Sequence, residues 1–219
     1  MLNICSFEDS WFVMKILAFS DIYILDSPNE KLQSLVMNEK IDIILLLGGL
    51  FNNEKSGSIK ENPKKIKKKK NQKQEITLIP ELNWLLIPIL VVPDEQDLQM
   101  SKLIKQIQGQ ETVWVRFIHN KGTIIDNWFI FGITYSSDDE NQEIMKNIQE
   151  YSKLAPDHSI LIYSGDKKMK FPKMHTIILS NQGKTSETDA FIVNVDSLRD
   201  NMVTIIDLDN KAVNSLVLE

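Results

Sequence analysis

The sequence predicts an α/β domain built on a large mixed sheet or on two packed sheets. Three observations carry that expectation. Short, nearly unbroken apolar runs recur along the chain and stop at polar residues or proline, as buried strands do. The first two, "MKILAFS" (14–20) and "IDIILLLGG" (41–49), flank a segment of helical period. Strand, helix and strand in that order imply a parallel pair with a right-handed crossover. Helical patterns come early after that, and strand patterns dominate the C-terminal part.

In chain order, Met14 opens the first strand. Residues 1–13, "MLNICSFEDSWFV", read as an extension before it, without the basic flank and apolar stretch of a signal peptide. Ser27 and Glu30 are spaced as a capping box with Pro28 at the first helical position, and Leu32, Leu35 and Val36 then share one face. After the second strand, residues 52–75 have almost no apolar content and no period, which predicts a disordered insertion. A short helical stretch around Trp84 leads to the third strand, "IPILVVP". A helix carrying Met100, Leu103, Ile104 and Ile107 follows and ends near Gly109. "TVWVRFIHNKGTIIDNWFIFGI" reads as two strands joined by the turn "HNKG", with His119 in that turn. A third helix, with Ser137 and Glu140 as its capping box, turns Ile144, Met145, Ile148 and Tyr151 inward and stops before Pro156. "SILIYS" (159–164), "HTIILS" (175–180) and "AFIVNV" (190–195) are strands, and "VTIIDLDNKAVNSLVLE" closes as a hairpin about "DNK".

Composition narrows the chemistry. Cys5 is the only cysteine among 219 residues, so neither an internal disulfide nor a zinc–thiolate site can form, which fits a reducing compartment. The expected location is cytoplasmic, or nuclear if the source is eukaryotic. No apolar run is long enough to span a bilayer. The net charge of −5 conceals a division: nine lysines and one acid lie between Lys55 and Lys73, so the remainder carries 16 basic and 29 acidic side chains, a net of −13. The densest part, Lys64, Lys65, Lys67, Lys68, Lys69 and Lys70, could meet nucleic acid, an anionic membrane or an acidic partner. It is equally what a solvated insertion looks like, and no aromatic residue is interleaved for base stacking. The four tryptophans read as packing residues. "LGGLFNN" has glycines that would let a phosphate approach the backbone but lacks the Lys-Ser/Thr of a P-loop.

The order of strands resembles the calcineurin-like metallophosphoesterase family from about Met14 onward. "MKILAFSDIY" is similar to the family's first strand with its Asp-x-His ending, "DIILLLGGLF" to the second with Gly-Asp, and "IPILVVPDEQD" to the third with Gly-Asn-His. "SILIYSGD" matches the strand that ends in His, and "TIILSNQGK" stands where Gly-His-x-His would be. The resemblance implies a four-layer α/β/β/α sandwich with two mixed sheets, spanning 14–219. It sets Asp21 at the first ligand position, Tyr23 at the following His, and Gly49 at the bridging Asp. Glu95 then replaces the Asn ligand, Gln96 the His that protonates the leaving group, and Asp97 keeps the acidic place beside it. Ser164 takes the fourth-strand His, and Asn181 and Gly183 the final pair.

A two-metal hydrolase needs a bridging carboxylate and several imidazoles to hold its ions roughly 3.5–4 Å apart. The chain has three histidines, His119, His158 and His175, none expected where the ligands should be. The expectation is therefore a pseudoenzyme with no cofactor, a scaffold or protein-binding subunit of a larger complex. Two alternatives stand beside it. One is a residual phosphoesterase in which Asp21, Asp94, Glu95, Asp97 and Asp166 hold a single Mg²⁺ or Mn²⁺. The other is a nucleic-acid-binding accessory protein acting through the lysines. Against the metal reading, the same acids serve equally well as helix caps and solvated loop residues.

Overall fold

The computed structural model describes residues 14–21, 29–50, 82, 85–99, 105, 109, 114–134, 138–153, 158–165, 168–169, 171, 174–180, 184–185 and 189–218. Strands β1 (Lys15–Phe19), β2 (Ile43–Leu47), β3 (Ile89–Val92) and β4 (Val115–Phe117) run parallel and adjacent in chain order. Two later strands, β12 (Met202–Asp207) and β13 (Ala212–Val217), add antiparallel on the other side of β1, giving the order β13-β12-β1-β2-β3-β4. The second sheet contains β5 (Lys121–Ile125), β6 (Trp128–Thr134), β7 (Ser159–Ser164), β9 (Thr176–Leu179) and β11 (Phe191–Asn194), in the order β11-β9-β7-β6-β5. Only the β5–β6 pair is antiparallel there. A parallel two-stranded ribbon, β8 (Lys168–Met169) with β10 (Lys184–Thr185), stands apart.

Strand periodicity sorts the core into three layers. Ile16, Ala18, Ile43, Leu45, Leu90 and Val92 face inward against Trp128, Ile130, Ile160, Ile162 and Ile178 of the other sheet. Their neighbours in sequence, Leu17, Phe19, Ile44, Leu46 and Val91, face outward. There Leu32 and Val36 of α1 (Asn29–Glu39) cover them. On the far side Leu161, Tyr163, Ile177 and Leu179 lie under Ile144 and Ile148 of α3 (Asp138–Ser152), with Met145 packed at the margin. Strands buried on both faces need no polar alternation, which is why they read as continuous apolar runs. Each fully buried Leu or Ile stabilises by about 1.5–3 kcal/mol, and these layers bury many of them. The result is the α/β/β/α sandwich with two mixed sheets.

One expected element is wrong. "HNKG" does not join two strands of a hairpin. The strand before it, β4, belongs to the first sheet and the one after it, β5, to the second, so this stretch carries the chain from sheet to sheet. The hairpin turn is Asp126–Asn127, both left-handed (φ 46° and 67°), the two-residue geometry that matches strand twist. Gly132 makes the crossing possible: a β-carbon there would lie 2.0 Å from the Ile118 carbonyl oxygen. The capping residues Ser27, Pro28 and Ser137, the segment 1–13, the insertion at 52–75, Trp84 and most of the helix expected after Gln99 lie outside the described residues. Within that last stretch Gly109 N donates to Lys105 O at 2.9 Å, a helical bond at the expected end.

Candidate functional site

The C-terminal ends of β1, β2, β3, β6 and β7 meet at one edge of the sandwich, the side on which open α/β sheets place their sites. Asp21 follows β1, Gly48 and Gly49 follow β2, Asp94 follows β3, and Thr134 and Ser164 end β6 and β7. The structure brings these together. Gly48 N closes onto Val92 O (2.8 Å), and Asp21 N onto Gly48 O (3.3 Å). Thr134 Oγ1 donates to Pro93 O (2.6 Å) across the gap between sheets.

The acidic turn after β3 is a capping box. Asp94 is the N-cap of α2 (Glu95–Gln99): Asp97 N donates to Asp94 Oδ1 at 2.7 Å, and Asp94 N donates back to Asp97 Oδ2 at 3.0 Å. The remaining oxygens reach the neighbouring loop, where Gly49 N donates to Asp94 Oδ2 (3.1 Å) and Leu50 N to Asp97 Oδ1 (2.9 Å). Four backbone donors are thus satisfied by two carboxyl groups. They include the very N–H groups of "GGL" that a phosphate would need, so this loop is not a phosphate cradle. Asp97 is completely buried. Burial, followed by the charge of Asp94, pushes its carboxyl up to about 8, against the pull of the Asp94 and Leu50 amides. Asp97 is therefore mostly neutral at pH 7 and is no solvated loop residue. Glu95 and Gln96 are exposed on α2.

The other half of the site has closed on itself. Gly48 and Gly49 are both left-handed, at φ 67° and 59°. A β-carbon on Gly49 would lie 2.6 Å from Asp21 Oδ1, 2.7 Å from Asp21 Cα and 2.9 Å from Asp21 N. A bridging carboxylate at this position would need the volume that the Asp21 backbone fills. Asp21 itself has a left-handed backbone (φ 59°), and its Oδ2 accepts from Ser197 Oγ and, at 3.4 Å, from Ser20 Oγ. Among the described residues Ser164 Oγ is buried without a hydrogen-bond partner, and it would sit 2.9 Å from a β-carbon on Gly48.

Tyr23, Asp166, Asn181, Gly183 and the lysines 64, 65 and 67–70 lie outside the described residues. His119 is not in a hairpin turn. It follows the parallel strand β4, at the same sheet edge as the other loops, with its ring tilted against Phe117 at 6.3 Å. Its neighbour Asn120 accepts from Thr134 N at 3.4 Å. Sequence reading missed Ser20, Asn120, Thr134 and Ser197 here, since isolated hydroxyl and amide residues carry no pattern. His158 and His175 lie at the opposite end, both edge-on to Trp128 at 5.1 Å.

Two divalent ions would be implied by the resemblance, and the described residues do not fit them. Gly49 offers no ligand, Asp94 and Asp97 spend their oxygens on backbone amides, and no three His, Cys, Asp or Glu among the described residues are grouped to hold a metal.

No protein-family description matches the chain, and no curated protein does. Solved structures do. The crystal structure of TT1561 of Thermus thermophilus superposes with a TM-score of 0.69 at 16% identity, covering 94% of this chain and 100% of that one. A structure described as a novel archaeal phosphodiesterase gives a TM-score of 0.51 at 14% identity, with 93% and 99% covered. A likeness at such identities shows the fold, and that fold is the metallophosphoesterase-type sandwich. No helix among the described residues is long and apolar enough to cross a membrane.

Proposed function

We propose that this chain is a catalytically inactive phosphoesterase-fold protein that binds a partner protein or scaffolds a multisubunit complex, in the cytoplasm or nucleus. The observation that supports the reading best is the contact of Gly49 with Asp21. The place from which a bridging carboxylate would reach two ions is filled by main chain, so more than one substitution separates this site from a two-metal centre. The single-ion alternative has less support, because two of its five acids form a capping box and Glu95 stands exposed on α2. A nucleic-acid role rests on the nine lysines between 55 and 73 set against an otherwise acidic chain. Counterion release would make such binding strongly salt-dependent.

The test pairs metal content with turnover. After purification in Mn²⁺, elemental analysis should find well under one ion per chain. Hydrolysis of a nitrophenyl phosphodiester should stay at background with Mg²⁺ or Mn²⁺, and EDTA should leave the melting temperature unchanged. Two bound ions per chain, or metal-dependent turnover, would return the protein to the enzymes.

A further inference from the structure

We draw no further inference here: the strongest candidate, the side-chain cluster of Ser164 and Asp94 about Gly48 where β7, β3 and β2 end, belongs to the site already described, and nothing in the structure shows what would occupy it.

Discussion

At the N-terminal end of the strands, Lys15 N donates to Asp42 Oδ2 (2.8 Å) and Met14 N to Asp209 Oδ2 (2.9 Å). At the C-terminal end, Gly49 N and Leu50 N donate to Asp94 and Asp97. Both ends solve one problem, the orphan amide at a strand terminus, with a carboxylate from a neighbouring loop. Their chemistry nevertheless differs. At the lower end Asp42 is half-buried, and its carboxyl is raised by burial and by Asp126 and Asp209, with the Lys15 amide pulling the other way. At the upper end Asp97 is sealed and largely neutral, beside two left-handed glycines pressed on Asp21. A cluster of acids at the catalytic edge of an α/β sheet is thus no site by location alone. What the oxygens already bond to decides what they can still do.

The sharpest way to break this comparison is Gly49→Ala. The new methyl meets the Asp21 main chain, which cannot swing aside as a side chain could, and φ of 59° is costly for an L-residue. The left-handed backbone costs about 1–2 kcal/mol and overpacking about 1–3 kcal/mol. Denaturant unfolding should therefore show a loss of roughly 2–5 kcal/mol. Gly49→Asp should be worse and should bind no Mn²⁺. A stable Gly49→Asp variant that takes up two ions would mean that the upper end is open after all.

Acidity comes next. The folded state holds a proton on Asp97 up to about pH 8, whereas the unfolded chain releases it near the ordinary value of 3.8. Between those values the native state binds more protons than the unfolded one, so stability falls as pH rises through this window. Fully expressed, the shift is worth on the order of 5 kcal/mol. The melting temperature should decline from pH 5 to 8, and Asp97→Asn should flatten the profile while costing some stability, since its amide group faces a backbone donor. Equal slopes for wild type and Asp97→Asn would show that Asp97 is ionised.

How far the sequence foretold this is clearest residue by residue. Strands β1, β2, β3 and β7 were legible because burial on both faces leaves unbroken runs of Ile, Leu and Val. The crossing at "HNKG" was misread because Asn-Lys-Gly resembles a turn, while the true turn, Asp126–Asn127, lacks glycine and hides between apolar strands. The ribbon of β8 and β10 has two residues on each side, too few for any period. At the upper end, strand order brought Asp21, Gly49, Asp94, Asp97 and Ser164 to one edge on paper as in the structure. It gave no sign of which amides their oxygens take. The spacing Asp94-x-x-Asp97 was a capping signal in plain view, with aspartate in place of the usual glutamate. That Asp97 is buried depends on Leu50 folding over it, a contact 47 residues away in sequence.

The smallest effect belongs to Glu95, and it refines the comparison most finely. Glu95 is exposed at the first position of α2 and stands where the resemblance places a metal ligand. Its structural contribution is confined to the favourable sign of a carboxylate near a helix N-terminus, a small term that salt screens. Glu95→Ala should shift the melting temperature by about 1–2 °C at most, as surface substitutions in a chain of this size do. Turnover of a nitrophenyl phosphodiester with Mg²⁺ should be the same before and after. Asp94→Ala offers the contrast one residue earlier: losing the N-cap should cost about 1 kcal/mol, and Gly49 N would lose its partner as well. A capping role therefore predicts a large effect at 94 and almost none at 95. A metal role predicts the opposite order in turnover, with Glu95→Ala abolishing a Mg²⁺-dependent activity that Asp94→Ala merely weakens through the fold.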